Sequence, residues 1–236
     1  VEINRVKARI AKTVEAATVR MTRLGGQGVL VPGNMILTAA HCIRWTATGA
    51  MALGDQKLEA IETRDGQKLI VDVLALEPVA DIAVLGAVDG QALPPEAEAY
   101  EEWCEATTAV KLYIADLLLD TDVAAPPGMD QDRWAKWCPS RWIAAHVLTH
   151  DKGWIDARAH QQRRDSQWLT VEVRTRILGG TSGGSVIADN GRLLGVISHT
   201  GESFGQGGKV KLHPFPIPRP HRTLPVWVVE RMRSTR

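Results

Sequence analysis

Apolar residues in this chain come in short runs separated by glycine, proline and aspartate. The first hundred residues hold "GVLV", "MILTAA", "KLIVDVLAL" and "DIAVL". The second half holds "RWIAAHVLT", "GWIDARAH", "QWLTVEVRTRIL", "GGSVIA" and "GRLLGVIS", with "DKG" and "DNG" between them. Runs this short, bounded by turn formers, predict strands rather than helices. Two successive sets of strands predict two barrels or sandwiches. Residues 90–140 break the habit with Pro94-Pro95, Pro126-Pro127, the acidic "PEAEAYEEWCE" and "GMDQDRWAKWC". This stretch reads as a linker and a tryptophan-bearing surface insertion, partly helical, packed on the second barrel. Further on, "FPIPRPHR" predicts an extended segment, and "TLPVWVVERMRSTR" a closing helix with Thr223 as its cap. The expected division is a first lobe over 1–95, linker and insertion over 96–140, and a second lobe with a C-terminal helix over 141–236.

With 236 residues and 44% apolar content, the chain is long enough to bury a sizeable core. Its 28 basic and 27 acidic residues leave a formal charge of +1, so neither nucleic acid nor an anionic membrane is the expected partner. No window approaches the roughly eighteen apolar residues of a membrane span, and "VEINRVKARIAKTVEAATVRM" is too mixed for a signal peptide. The start at Val1 leads us to expect processing, a trimmed terminus or one domain of something longer. Cys42, Cys104 and Cys138 form no CxxC unit, so zinc is not expected. So few cysteines favour a reducing compartment, and a cytoplasmic location is the expectation.

The segment "ILGGTSGGSVI" sets Ser182 between two pairs of glycines and runs on into a buried strand. Such glycines permit positive φ and close backbone approach. A tight turn explains them; so does a serine nucleophile whose neighbouring N–H groups are left open for an oxyanion. A serine hydroxyl needs a base to take its proton, and that base needs a group to fix its tautomer. His41 ends the run "MILTAAHC", where Ala39 and Ala40 leave room for a sharp turn. Asp81 opens the apolar run of "VADIAVL", where a carboxylate is costly to bury without strong hydrogen bonds. A core histidine and a turn aspartate remain the plainer readings of each residue alone.

Together and in this order, "LTAAHC", "DIAVL" and "GTSGGSV" resemble the three signatures of the chymotrypsin-like (trypsin-like) serine peptidases. The resemblance runs from about Gly25 to Ser198. It implies an all-β fold of two six-stranded antiparallel barrels with a C-terminal helix, and an endopeptidase that uses no metal or organic cofactor. It makes His41 the general base, Asp81 its orienting carboxylate and Ser182 the nucleophile, with the N–H groups of Gly180 and Ser182 as the oxyanion hole. Ser198, His199 and Thr200 would lie along the substrate cleft. Arg176 would form the floor of the specificity pocket, with Lys209 and Lys211 on its wall, which implies a preference for an acidic residue. If Arg176 instead reaches solvent, Thr200 narrows the pocket for small residues.

The sequence also departs from the better-known branches of that family. Thr181 stands where activated members carry an aspartate, and "VEIN" does not resemble their "IVGG" start. Cys42 matches one half of a common disulfide, yet "RLGGQGVL" offers it no partner. These features are similar to bacterial trypsin-like and HtrA-like domains, here without a PDZ domain. The implied partners are a protein or peptide substrate and a regulatory domain or partner protein. The alternative is a binding module or effector on a peptidase fold, catalytically silent or gated by a partner.

Overall fold

The protein is described here from a computed structural model. The described residues are 8–43, 58–77, 81–112, 128, 143–151, 153–161, 168–173, 177–198 and 219–222. The first six strands are β1 (Thr18–Met21), β2 (Gln27–Val31), β3 (Met35–Thr38), β4 (Leu58–Glu62), β5 (Lys68–Glu77) and β6 (Ile82–Gly86). They pair antiparallel in the order β1-β2-β3-β6-β5-β4 and close where β4 meets β1. Every residue of β2, β3 and β6 is buried, which is why these strands read as unbroken apolar runs. A bulge between Val73 and Ala75 bends β5 and turns Leu74 outward.

Six further strands follow: β7 (Ile143–Thr149), β8 (Gly153–Gln161), β9 (Trp168–Val173), β10 (Ser185–Ala188), β11 (Leu193–Val196) and β12 (Arg219–Arg222). Their order is β10-β11-β12-β9-β8-β7, with β10 also paired to β7. Among these pairings β11 meets β12 at a single position, Val196 opposite Arg222. β12 lies in the proline-rich stretch expected to be extended. The C-terminal helix expected after it lies outside the described residues.

The fold is mostly β, and among the described residues two α-helices accompany the strands. α1 (Ala8–Ala16) buries Val14 and packs Ile10 and Ala11 against the core, an apolar stripe at helical spacing. α2 (Pro94–Ala106) starts on the paired prolines, which suit the first helical turn because no intrahelical N–H is required there. It buries Ala97, Tyr100, Trp103 and Cys104 on one face. Tyr100 is fully buried and donates its hydroxyl to the Asn34 carbonyl in the β2–β3 turn at 2.9 Å. The helical part of the 96–140 segment therefore packs on the first barrel, where its aromatic face has a polar anchor, rather than on the second. The chain then crosses between the sheets: the Val110 N–H donates to Leu30 at 2.9 Å, and the Lys111 carbonyl accepts from Leu193 at 2.8 Å. One apolar cluster is continuous across this seam, joining Leu30 and Leu37 to Leu148, Trp154 and Leu193.

Candidate active site

β3 delivers the first residue of the site. After Thr38 the backbone turns through Ala39 and Ala40, both without solvent exposure, into a short 3₁₀ turn, Ala40–Cys42. Only small side chains fit that buried turn, and the imidazole of His41 emerges from it with 43% of its side chain exposed. Asp81 meets it from the start of β6. Its φ of 51° is unusual for a residue with a side chain, and aspartate is among the few that tolerate it. This conformation brings two parts of Asp81 to the same turn. Its carbonyl accepts from the Ala40 N–H at 3.1 Å, and its carboxylate from the His41 N–H at 3.0 Å. His41 Nδ1 lies 2.9 Å from Asp81 Oδ2 and 3.1 Å from Oδ1.

A third donor completes the carboxylate's shell: the hydroxyl of Ser198, in the segment after β11, donates to Asp81 Oδ2. Burial pushes the Asp81 pKa up, but the hydrogen bonds from His41 and Ser198 outweigh it and hold the carboxyl below its usual range. The His41 pKa moves the other way: the hydrogen bond to Asp81, then one to Cys42, raises it against the effect of burial.

Ser182 approaches from the second sheet, in the loop before β10. Its carbonyl accepts from the Gln27 N–H of β2 at 2.7 Å. Gly26 marks where the Ser182 loop and the His41 turn converge. A side chain there would begin 2.5 Å from Cys42 Sγ and 2.9 Å from the Ser182 carbonyl oxygen. Gly26 thus occupies the space facing the Cys42 thiol, and both Cys42 and Cys104 are free and buried. Gly183, at φ 77°, lies against the Gln27 carbonyl, which also accepts the Thr38 hydroxyl at 2.6 Å. Gly180 has φ 87°. Among the described residues no hydrogen bond occupies the N–H of Gly180 or of Ser182.

His41, Asp81, Ser182 and Gly180 thus occupy two elements of the first barrel and one loop of the second sheet. Ser198 joins them through a buried hydroxyl that donates to Asp81. Arg176, His199, Thr200, Lys209 and Lys211 lie outside the described residues, and with them the expected specificity pocket. Gln27 and Thr38 were not singled out by the sequence. Their sign was weak, a polar residue at each end of strands otherwise apolar. Among the described residues no group of three or more His, Cys, Asp or Glu is placed to hold a metal ion.

No curated protein matches the chain. In fold, it is similar to the HtrA-type protease AlgW with a tripeptide (TM-score 0.51, 16% identity, covering 96% of this chain and 62% of that one). It is similar also to the same protease with a decapeptide (TM-score 0.52, 13% identity, 97% of this chain and 66% of that one). The chain spans less than two thirds of the first of these structures. The trypsin-like peptidase domain family matches residues 26–196, the stretch that begins at Gly26 beside Cys42 and includes His41, Asp81 and Ser182. By that match the chain belongs to the trypsin-like peptidase domain family.

Proposed function

We propose that this protein is a serine endopeptidase that cleaves protein substrates through an acyl-enzyme, with His41, Asp81 and Ser182 as its catalytic residues. The observation that carries the reading is the close contact of His41 Nδ1 with the Asp81 carboxylate. Nδ1, on this reading, keeps its proton and donates it in a hydrogen bond to the Asp81 carboxylate at 2.9 Å, which makes Nε2 the base. On this reading Ser182 Oγ attacks the scissile carbonyl carbon as its proton passes to His41 Nε2. The negative oxygen then accepts hydrogen bonds from the N–H groups of Gly180 and Ser182, each donor contributing about 10²–10³ in rate. When the intermediate collapses, His41 protonates the departing amine, and a water activated by the same histidine releases the acyl group.

Peptide is the substrate class favoured by the family match, and the similar structures are of a protease with bound peptides. The backbone around Ser198 would pair with an extended substrate as an added strand. The second sheet would then be the second barrel of the fold, closed through β12. A fluorophosphonate probe tests the proposal. Labelling of the wild-type protein that disappears in Ser182→Ala supports it. Failure of the wild-type protein to label, alone and with candidate partner domains, would overturn it in favour of a silent binding module.

A further inference from the structure

The loop that carries Ser182 is braced from one side by the turn after β7. Three contacts make the brace. The His150 N–H donates to Thr181 Oγ1 at 3.3 Å. The His150 ring lies against Gly180, where a side chain would begin 3.3 Å from Cδ2. The Leu148 carbonyl comes within 3.0 Å of the corresponding point on Gly184. Thr181 itself has no solvent exposure, and its carbonyl accepts the Gly184 N–H at 2.8 Å, closing the loop into a tight turn. The turn doing the bracing is locked in its own right by Thr149, whose hydroxyl donates to the Gly153 carbonyl at 2.7 Å.

Behind it stands α1. Trp154, the second residue of β8, donates Nε1–H to Glu15 of α1 at 2.9 Å, and Glu15 also pairs with Arg64 of the first barrel at 3.3 Å. Thr181 lies between Gly180 and Ser182, the two residues whose N–H groups hold no hydrogen bond among the described residues. Rotation of the peptide on either side of Thr181 would turn one of those donors away. Free rotation is what its buried hydroxyl, held by a backbone N–H, opposes.

We propose that Thr181 is a positioning residue that holds the oxyanion donors in place through the β7–β8 turn, and that α1 steadies that turn through Trp154. The proposal rests on the peptidase reading above. It also explains how an uncharged residue can fix this loop, since a hydrogen bond from main chain needs no ion pair.

The test compares Thr181→Val, which keeps the shape and removes the acceptor, with Thr181→Ser, which restores it. Hydrogen exchange over residues 178–184 is measured alongside peptide hydrolysis. Expected for Thr181→Val are faster exchange in that segment with β10 unchanged, a kcat lower by roughly 10–100-fold, and a KM within about threefold of wild type. Thr181→Ser should return kcat to within about threefold. If Thr181→Val does not fold, Trp154→Phe serves, with faster exchange expected in both 149–153 and 178–184. Unchanged exchange over 178–184 in the folded variant overturns the proposal, as does a loss confined to KM or a serine variant no better than valine. If the wild-type protein proves inert, the peptidase reading falls, while the exchange result still decides whether Thr181 braces the loop.

Discussion

Alanine at Gly183 would introduce a carbon that overlaps the Gln27 carbonyl oxygen and stands 2.5 Å from Thr38 Oγ1. Neither neighbour can yield cheaply. The Gln27 carbonyl belongs to β2 and holds the Thr38 hydroxyl, while the Gln27 N–H holds Ser182. Gly25 supplies a matched control, because its φ of 80° is close to the 77° of Gly183 but a side chain there meets nothing within 4 Å. Gly25→Ala therefore carries the left-handed strain alone, about 1–2 kcal/mol. Gly183→Ala carries the same strain plus an overpacking cost of about 1–3 kcal/mol.

For a chain of this length each kcal/mol lowers Tm by about 2–4 °C, so the two variants should separate in a thermal melt. Activity should separate them further. The loop relieves the overlap by moving Ser182, and a shift on the order of 1 Å costs about 100-fold in kcat/KM. Gly25→Ala should stay within about threefold of wild type. Thermal melts and active-site titration on the purified variants decide the matter. If Gly183→Ala keeps more than about a third of wild-type activity, or melts no lower than Gly25→Ala, the close approach of β2 to the nucleophile loop does not hold Ser182 in place.

The raised pKa of His41 gives catalysis and stability opposite slopes. The neutral, basic form grows as pH rises, so kcat/KM should climb along a limb centred above the ordinary value near 6.5, and Asp81→Asn should lower that limb and reduce activity by roughly 10⁴-fold. The stabilising effect of the pair runs the other way at its upper end. The His41 contribution is complete below about 6.5 and is lost as pH rises through the folded value, while the Asp81 contribution holds above 3.8 and is lost as pH falls through its depressed value. Melts across that range should be highest between the two limits, and Asp81→Asn should flatten them. Trp103→Ala should destabilise the protein by about 3–5 kcal/mol in denaturant titration, because the ring is buried with Tyr100 against the first barrel. Reductant should leave Tm unchanged, given the free thiols of Cys42 and Cys104; a clear fall would show that two of the three cysteines are bridged.

Strands buried on both faces were the most legible part of the chain, since β2, β3 and β6 spell out their burial as continuous apolar residues. β1 and β4 were not, because "TVRM" and "LEAIE" alternate over too few residues, and Glu59 is buried where the pattern suggests solvent. α1 left a readable stripe at Ile10, Ala11 and Val14, hidden among charged neighbours. Among site residues, His41, Asp81 and Ser182 were legible because chemistry restricts the side chain at each position. Gln27 and Thr38 act through a carbonyl, an N–H and a hydroxyl set by tertiary approach, and many polar residues would look the same in sequence. Ser198 was read for its strand, whereas its side chain works on Asp81, which lies 117 residues earlier.

That last separation bears on the order in which function is acquired during synthesis. The bond between His41 and Asp81 spans 40 residues and lies within one barrel, whereas those from Ser198 to Asp81 and from Trp154 to Glu15 span 117 and 139. Contacts so distant in sequence close late in folding, after the entropy of a long loop has been overcome. On the proposed reading, a nascent chain that has completed its first barrel holds His41 and Asp81 but not Ser182, so it could not yet hydrolyse itself or its neighbours. On that reading, hydrolytic capacity would arrive only with the second sheet.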